Sequence, residues 1–236
     1  MNILALDASS QAASCALMRE GSLRGEFFAN IGLTHSQTAM PMVEQLLAQT
    51  QTTLDEVDLF AVSTGPGSFT GLRIGVACIK GMALAKDKPC AGVSTLLALA
   101  AGASVFEGYI CPVMDARREQ VYTALFESTG GQIDRSRQDE ALPLDELKRM
   151  LGALAPSPVL LVGDGAHLAF KVMGDLGQIR IAPERVLHQR ASAIAEIASR
   201  MAADGHLTSA FDLAPAYLRL PQAERERLEA AGQKKY

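Results

Sequence analysis

One stretch constrains the fold of this chain more than any other: Ser63-Thr-Gly-Pro-Gly-Ser-Phe-Thr-Gly-Leu-Arg-Ile-Gly75. It follows the apolar run Leu59-Phe-Ala-Val62 and leads into small residues at helical spacing, so the pattern predicts strand, glycine loop, helix. Glycines at such a loop let backbone N–H groups approach a ligand or a neighbouring segment, because no Cβ stands in the way. A phosphate loop of the Walker type would carry Lys and Ser/Thr directly after its last loop glycine, where this chain has Leu72 and Arg73. A nucleophile elbow needs Gly-x-Ser-x-Gly, and the order here is Gly67-Ser-Phe-Thr-Gly71. The loop reads either as a tight strand-to-helix turn or as a ligand loop of another kind.

The chain begins with Asn2-Ile-Leu-Ala-Leu-Asp-Ala-Ser-Ser10, a buried-strand run ending in an acid and two hydroxyls. Ser14-Cys-Ala-Leu-Met18 and Leu23-Arg-Gly-Glu-Phe-Phe28 read as two further strands. A helix at about 36–49 follows, capped by Thr34, Ser36 or Thr38, with Pro41 kinking it if it starts at His35. A second helix spans about 71–86, and a third follows Ser94. A second unit restarts with strands at Tyr109-Ile-Cys-Pro-Val-Met114 and Gln120-Val-Tyr-Thr-Ala-Leu-Phe126, and a weak third strand from Ile133. A helix at 143–154 capped near Asp145, the strand Val159-Leu-Leu-Val162, the turn Gly163-Asp-Gly165 with a short helix, and a helix at 191–203 complete it. The lobes are placed at 1–104 and 105–220, with 191–203 packing back on the first, and 221–236 as a mobile tail.

A first hairpin carrying Asp-x-Ser/Thr, followed by helix, strand and glycine loop, resembles the sugar-kinase, heat-shock-chaperone and actin-like ATPase superfamily. That resemblance implies a two-lobed α/β fold, each lobe a mixed sheet flanked by helices. Within the superfamily, the residues 63–75 together with Pro112-Val-Met-Asp-Ala-Arg-Arg118 and Pro215-Ala-Tyr-Leu-Arg219 resemble the TsaB (YeaZ) family, bacterial accessory subunits for threonylcarbamoyladenosine synthesis on tRNA. The resemblance implies a scaffold that pairs with a homologous catalytic subunit, TsaD, and an ATPase subunit, TsaE, reaches tRNA through their complex, and forms a homodimer without its partner. The catalytic paralogue carries a His-x-x-x-His metal pair after the strand matching residues 89–93. Here Val93-Ser-Thr-Leu-Leu-Ala-Leu-Ala100 holds no His, Cys or carboxylate, which weighs against transferase and metalloprotease chemistry.

The superfamily's nucleotide-using members imply a vestigial site at Asp7, Ser9, Ser10, Gly65, Gly67, Gly163, Asp164 and Gly165, with no resident cofactor and weak ATP or ADP binding. The same residues fit turns kept for backbone reasons. A stand-alone ATPase or sugar-kinase-like phosphotransferase using Asp7 is the rival function, without a clear catalytic base. On the second helix Leu72, Val76, Ile79 and Ala83 form a stripe suited to the sheet. A second stripe of Gly71, Gly75, Cys78 and Met82 would admit a partner helix, with Arg73 and Lys80 on the opposite flank. The family pairs subunits through its first two helices, which adds His35, Met40, Val43 and Leu47 to the expected contacts.

The net charge of −4 gives no electrostatic footprint for nucleic acid, so any tRNA link must run through the resemblance or a partner. Cys15, Cys78, Cys90 and Cys111 sit among apolar neighbours without a Cys-x-x-Cys pair, and the four histidines show no ligand spacing, so neither disulfide nor metal is expected. No basic leader and no apolar run of about 18 residues is present, which predicts a cytoplasmic protein without membrane attachment.

Overall fold

A computed structural model describes residues 1–219. The tail expected at 221–236 lies outside the described residues. Two five-stranded sheets carry the chain. The first contains β1 (Asn2–Asp7), β2 (Ala13–Arg19), β3 (Ser22–Ala29), β4 (Leu59–Gly65) and β5 (Cys90–Ser94), in the order β3-β2-β1-β4-β5. The second contains β6 (Gly108–Asp115), β7 (Gln120–Thr129), β8 (Gln132–Pro143), β9 (Val159–Val162) and β10 (Ile179–Ile181), in the order β10-β9-β6-β7-β8. Counted from its own first strand, each sheet has the same order, with an antiparallel hairpin side and a parallel side. This duplicated α/β plan is the two-lobed actin-like ATPase fold.

Helices α1 (His35–Gln49) and α2 (Phe69–Lys86) cover one face of the first sheet, where Leu4, Leu6, Val43, Leu46, Phe60, Val76 and Ile79 form the core. Helix α7 (Ala191–Ala203) covers the other face through Ala191, Ile194, Ile197 and Ala198. Helix α3 (Thr95–Gly102) ends the first lobe in sequence, yet Leu96, Leu99 and Ala100 enter the second lobe's core. The same core holds Phe126 of β7, Leu161 of β9, Leu147 of α4 (Leu144–Gly152) and Ala169 of α5 (Ala166–Met173). A short helix, α6 (Glu184–Leu187), leads to α7.

Several local expectations need correction. Strand β8 is not weak; it runs for 12 residues. It is an edge strand, so one side can stay solvated and its charges pair along the strand, Arg135 with Asp139 and Arg137 with Glu140. Asp145 does not cap α4, since Pro143 holds the cap position and Asp145 sits in the first turn, where a carboxylate suits the positive helix end. Helix α1 starts at His35 without a side-chain cap, because the Thr34 hydroxyl bonds to Ser36 and Gln37 side chains instead. The helix continues through Pro41 as one element to Gln49. Strand β10 and helix α6, three and four residues long, carry too little pattern to be seen in sequence.

Candidate functional site

Two features stand out on this frame, a cleft between the lobes and the outward face of α2. The cleft encloses about 320 Å³. One wall comes from the β1–β2 turn (Ser9, Ser10, Gln11) and the glycine loop (Pro66, Gly67, Ser68, Phe69). The β6–β7 hairpin (Asp115, Ala116, Arg117) and Asp164 supply the other wall, and residues 216–219 line it too.

The walls are held by close backbone contact. A Cβ at Gly67 would stand 2.3 Å from Ser9 O, and Ser68 N donates to that same oxygen at 2.7 Å. Only glycine lets the loop lie so close to the turn. Ser68 then caps α2, its hydroxyl accepting from Gly71 N at 3.3 Å. Ser10 Oγ donates to Gln189 Oε1 at 2.9 Å, tying the turn to the chain just before α7. His35 Nε2 lies 2.6 Å from Ser10 O, which makes His35 a brace for the turn.

Of the expected nucleotide residues, Ser9, Ser10, Gly67 and Asp164 line the cleft. Asp7 does not. It is fully buried, with Oδ1 accepting from Ser9 N at 2.9 Å and Ser9 Oγ at 2.8 Å. Burial pushes its carboxyl above the ordinary range, against the pull of the Ser9 amide, the Ser63 and Ser9 hydroxyls and His35. The Ser63 hydroxyl is near enough to exert that pull, yet neither Ser63 Oγ nor Asp7 Oδ2 completes a hydrogen bond. Gly163 and Gly165 serve the backbone: a Cβ would stand 2.3 Å from Val113 O at Gly163 and 3.0 Å from Asp115 N at Gly165. Asp164 accepts from Asp115 N at 3.3 Å, and burial raises its carboxyl as well.

Residues 216–219 run through this cleft, and Asp115 and Asp164 are among the side chains that line it. Gly65 makes room for that segment: at φ +132°, a Cβ there would lie 2.4 Å from Ala216 O. Sequence reasoning missed Ser68, Gln189 and Tyr217 as site residues. Nothing local marks Gln189, whereas Tyr217 and Arg117 lie inside motifs whose role only the folded cleft reveals.

The α2 surface also differs from expectation. Gly71 and Gly75 are buried by their own chain: a Cβ would stand 2.0 Å from Ala8 O at Gly71 and 3.4 Å from Ala8 Cβ and Val62 Cγ2 at Gly75. Met82 and Val43 are core residues. His35, Met40, Leu47 and Cys78 remain half-exposed. The outward stripe is Ile74, Ala77, Cys78, Gly81, Leu84 and Ala85, apolar or small throughout, with Leu84 57% exposed and no atom within 4 Å of a Cβ at Gly81. Arg73 and Lys80, expected on the flank opposite Gly71 and Gly75, bond to Tyr217 and to the carbonyls of Phe211 and Leu213.

Three cysteines are buried free thiols; burial raises Cys15 and Cys111 to about 12 and Cys90 to about 11. Among the described residues no cluster of three His, Cys, Asp or Glu side chains is placed to hold a metal.

The chain is similar to known proteins along nearly its full length. The family model described as TsaD, tRNA N6-adenosine threonylcarbamoyltransferase, matches residues 31–224. The tRNA threonylcarbamoyladenosine biosynthesis protein TsaB of Bacillus subtilis is 36% identical over 235 residues, covering 98% of this chain and 99% of that protein. The solved structure of YeaZ from Pseudomonas aeruginosa superposes with a TM-score of 0.75 at 28% identity, covering 92% of this chain and all of that one. At 13% identity, component A of (R)-2-hydroxyglutaryl-CoA dehydratase from Acidaminococcus fermentans shares the fold, with a TM-score of 0.50 over 86% of this chain and 99% of that one.

Proposed function

The chain belongs to the TsaB (YeaZ) family of tRNA threonylcarbamoyladenosine biosynthesis proteins, and we propose that it acts there as a non-catalytic scaffold for a homologous TsaD-like catalytic subunit. The carrying observation is the outward stripe of α2, where Ile74, Ala77, Cys78, Gly81, Leu84 and Ala85 leave an apolar surface of small side chains. Small residues let a second helix approach closely, and an apolar helix face gains free energy when covered. A homologous partner is the natural occupant. The TsaD model fits residues 31–224, so such a partner shares this fold and presents an equivalent helix for near-twofold pairing. The same face would support a homodimer when the partner is absent.

The absence of transferase chemistry rests on α3. Leu96, Ala98, Leu99 and Ala100 on this helix are buried in the core, and Thr95 beside them offers only a hydroxyl. No imidazole pair stands where the paralogue's metal ligands would be required. A TsaE-like ATPase and tRNA join through the complex, and the protein works in the cytoplasm. Among the described residues no helix is long and apolar enough to cross a membrane. No resident cofactor belongs to this reading; ATP or ADP would enter the cleft only weakly.

Reconstitution tests it. The purified chain alone should transfer no threonylcarbamoyl group to tRNA. Adding TsaD-like and TsaE-like subunits, ATP and the activated threonylcarbamoyl donor should give modified adenosine, and leaving this chain out should abolish most of it. Robust turnover by the chain alone would overturn the scaffold reading.

A further inference from the structure

The motif Pro215-Ala-Tyr-Leu-Arg219 lies outside the outward stripe of α2, and its residues from Ala216 onward line the cleft. The chain reaches it along the first lobe. Cys90 and Thr208 exchange two backbone hydrogen bonds, at 2.8 and 2.9 Å, and Lys80 Nζ donates to Phe211 O at 2.8 Å and Leu213 O at 3.0 Å. Ala216 N then donates to Thr64 O at 2.8 Å, directly over Gly65.

Tyr217 packs its ring on Phe69 at 4.9 Å, while Arg73 lies 3.9 Å over the same Phe69 ring and donates Nε to the Tyr217 hydroxyl at 3.0 Å. Two residues later the chain crosses to the other lobe. Arg219 Nη1 donates to Ala116 O at 3.2 Å, at the base of the β6–β7 hairpin.

That hairpin turn is strained. Arg117, Arg118 and Glu119 all have left-handed φ, at 66°, 54° and 57°, a conformation that disfavours any residue with a Cβ. It is held by Arg117 N donating to Asp115 Oδ1 at 2.7 Å, by the pairing of Ala116 N with Gln120 O at 3.0 Å, and by Arg219 from outside.

We propose that residues 214–219 form a strap that fastens the two lobes across the cleft, with Tyr217 as its anchor on the first lobe and Arg219 as its latch on the second. The strap is bound firmly to the first lobe and reaches the second at its far end, so the latch is the element that gives way first. Other ties between the lobes run through α3, whose Leu96, Leu99 and Ala100 enter the second core and whose cap Ser94 Oγ donates to Asp139 Oδ2, and through Gln189 and α7, where Ala191 N donates to Ser14 Oγ and Ser192 to Glu26. Releasing the latch therefore opens the cleft on the hairpin side and leaves the α3 and α7 sides closed. The strap also passes over Arg73, at the start of α2, so cleft opening and events at that end of the helix are linked.

Amide hydrogen exchange on the full chain tests it. The Tyr217→Ala/Arg219→Ala variant should speed exchange by about tenfold or more in residues 9–11, 68–69 and 116–120, since it loses two charge-assisted hydrogen bonds and the ring contact with Phe69. Leu4 and Leu6 in β1 should exchange as in the parent. Tyr217→Phe, which keeps the ring on Phe69 but loses the hydroxyl, should give a smaller rise at the same sites. Cleft amides that exchange at parental rates in the double variant would overturn the proposal. If that variant also loosens β1, Arg219→Gln alone decides by the same readout: faster exchange confined to the cleft supports the strap, and parental rates there refute it.

Discussion

Helix α2 contains two glycines whose exchange for leucine should move stability and assembly in opposite senses. Gly81 is exposed in the helix interior, with no atom within 4 Å of a Cβ placed there. Glycine costs a helix interior about 0.5–1 kcal/mol relative to a good helix former, so Gly81→Leu should stabilise the free chain. For a protein of this size, that is a rise in Tm of about 1–4 °C. Against a docked helix the same branched side chain overfills a close contact, at a cost of about 1–3 kcal/mol. Partner affinity should fall about 5- to 150-fold. Gly75 behaves in reverse. A Cβ there already meets Ala8 Cβ and Val62 Cγ2 at 3.4 Å, so the remaining carbons of Leu must push the β1–β2 turn away. Gly75→Leu should lower Tm by about 2–12 °C and leave the outward stripe intact. Thermal melts at dilutions where the chain is monomeric, paired with titration of each variant against the TsaD-family subunit, measure both quantities. If Gly81→Leu binds the partner within about twofold of the parent, or Gly75→Leu loses affinity with an unchanged Tm, the face assignment is wrong.

Two further outcomes follow from the buried groups around the cleft. Burial raises the Asp7 carboxyl in the folded state, so the native protein favours its protonated form and loses stability as pH rises from the unfolded carboxylate value through the folded one. Asp7→Asn keeps an acceptor for the Ser9 amide and hydroxyl and removes the buried charge; Tm at pH 7 should rise and its decline over that window flatten, whereas a lower Tm at pH 7 would refute the argument. ATP should bind the isolated chain with a Kd of about a millimolar or weaker, worth only about 4 kcal/mol. Micromolar affinity in a calorimetric titration would revive a nucleotide-using function.

Much of the fold was written in local pattern. The strands of the first lobe are apolar runs bounded by turn residues, and residues 63–75 carry the glycines that a strand-to-helix turn needs at close range. The second lobe was less legible where pattern and environment part company. Strand β8 holds Asp134, Arg135, Arg137, Asp139 and Glu140, which argue against a buried strand. At a sheet edge they are tolerated, and Arg135 lies 4.6 Å over the Phe126 ring from the neighbouring strand β7. Edge position is a property of the assembled sheet, so residues 132–143 could not declare it alone.

The α2 surface shows a different limit. Helical periodicity reveals that stripes exist, but it leaves open which one faces inward when most of the circumference is apolar. Gly71, Gly75 and Met82 turn inward while Ile74, Ala77, Gly81 and Leu84 face outward with Cys78 between them, and the two sets differ by about one residue in phase, which turns the helix by about 100°. What fixes the phase is the β1–β2 turn, more than 60 residues earlier, where Ala8 sits against Gly71 and Gly75. The flank opposite those glycines is occupied too: Arg73 and Lys80 each hold part of the C-terminal segment, Arg73 through Tyr217 and Lys80 through Phe211 and Leu213. Both the inward glycines and the occupied cations depend on segments distant in sequence. The outward apolar stripe became identifiable only once those segments had claimed the other sides of the helix.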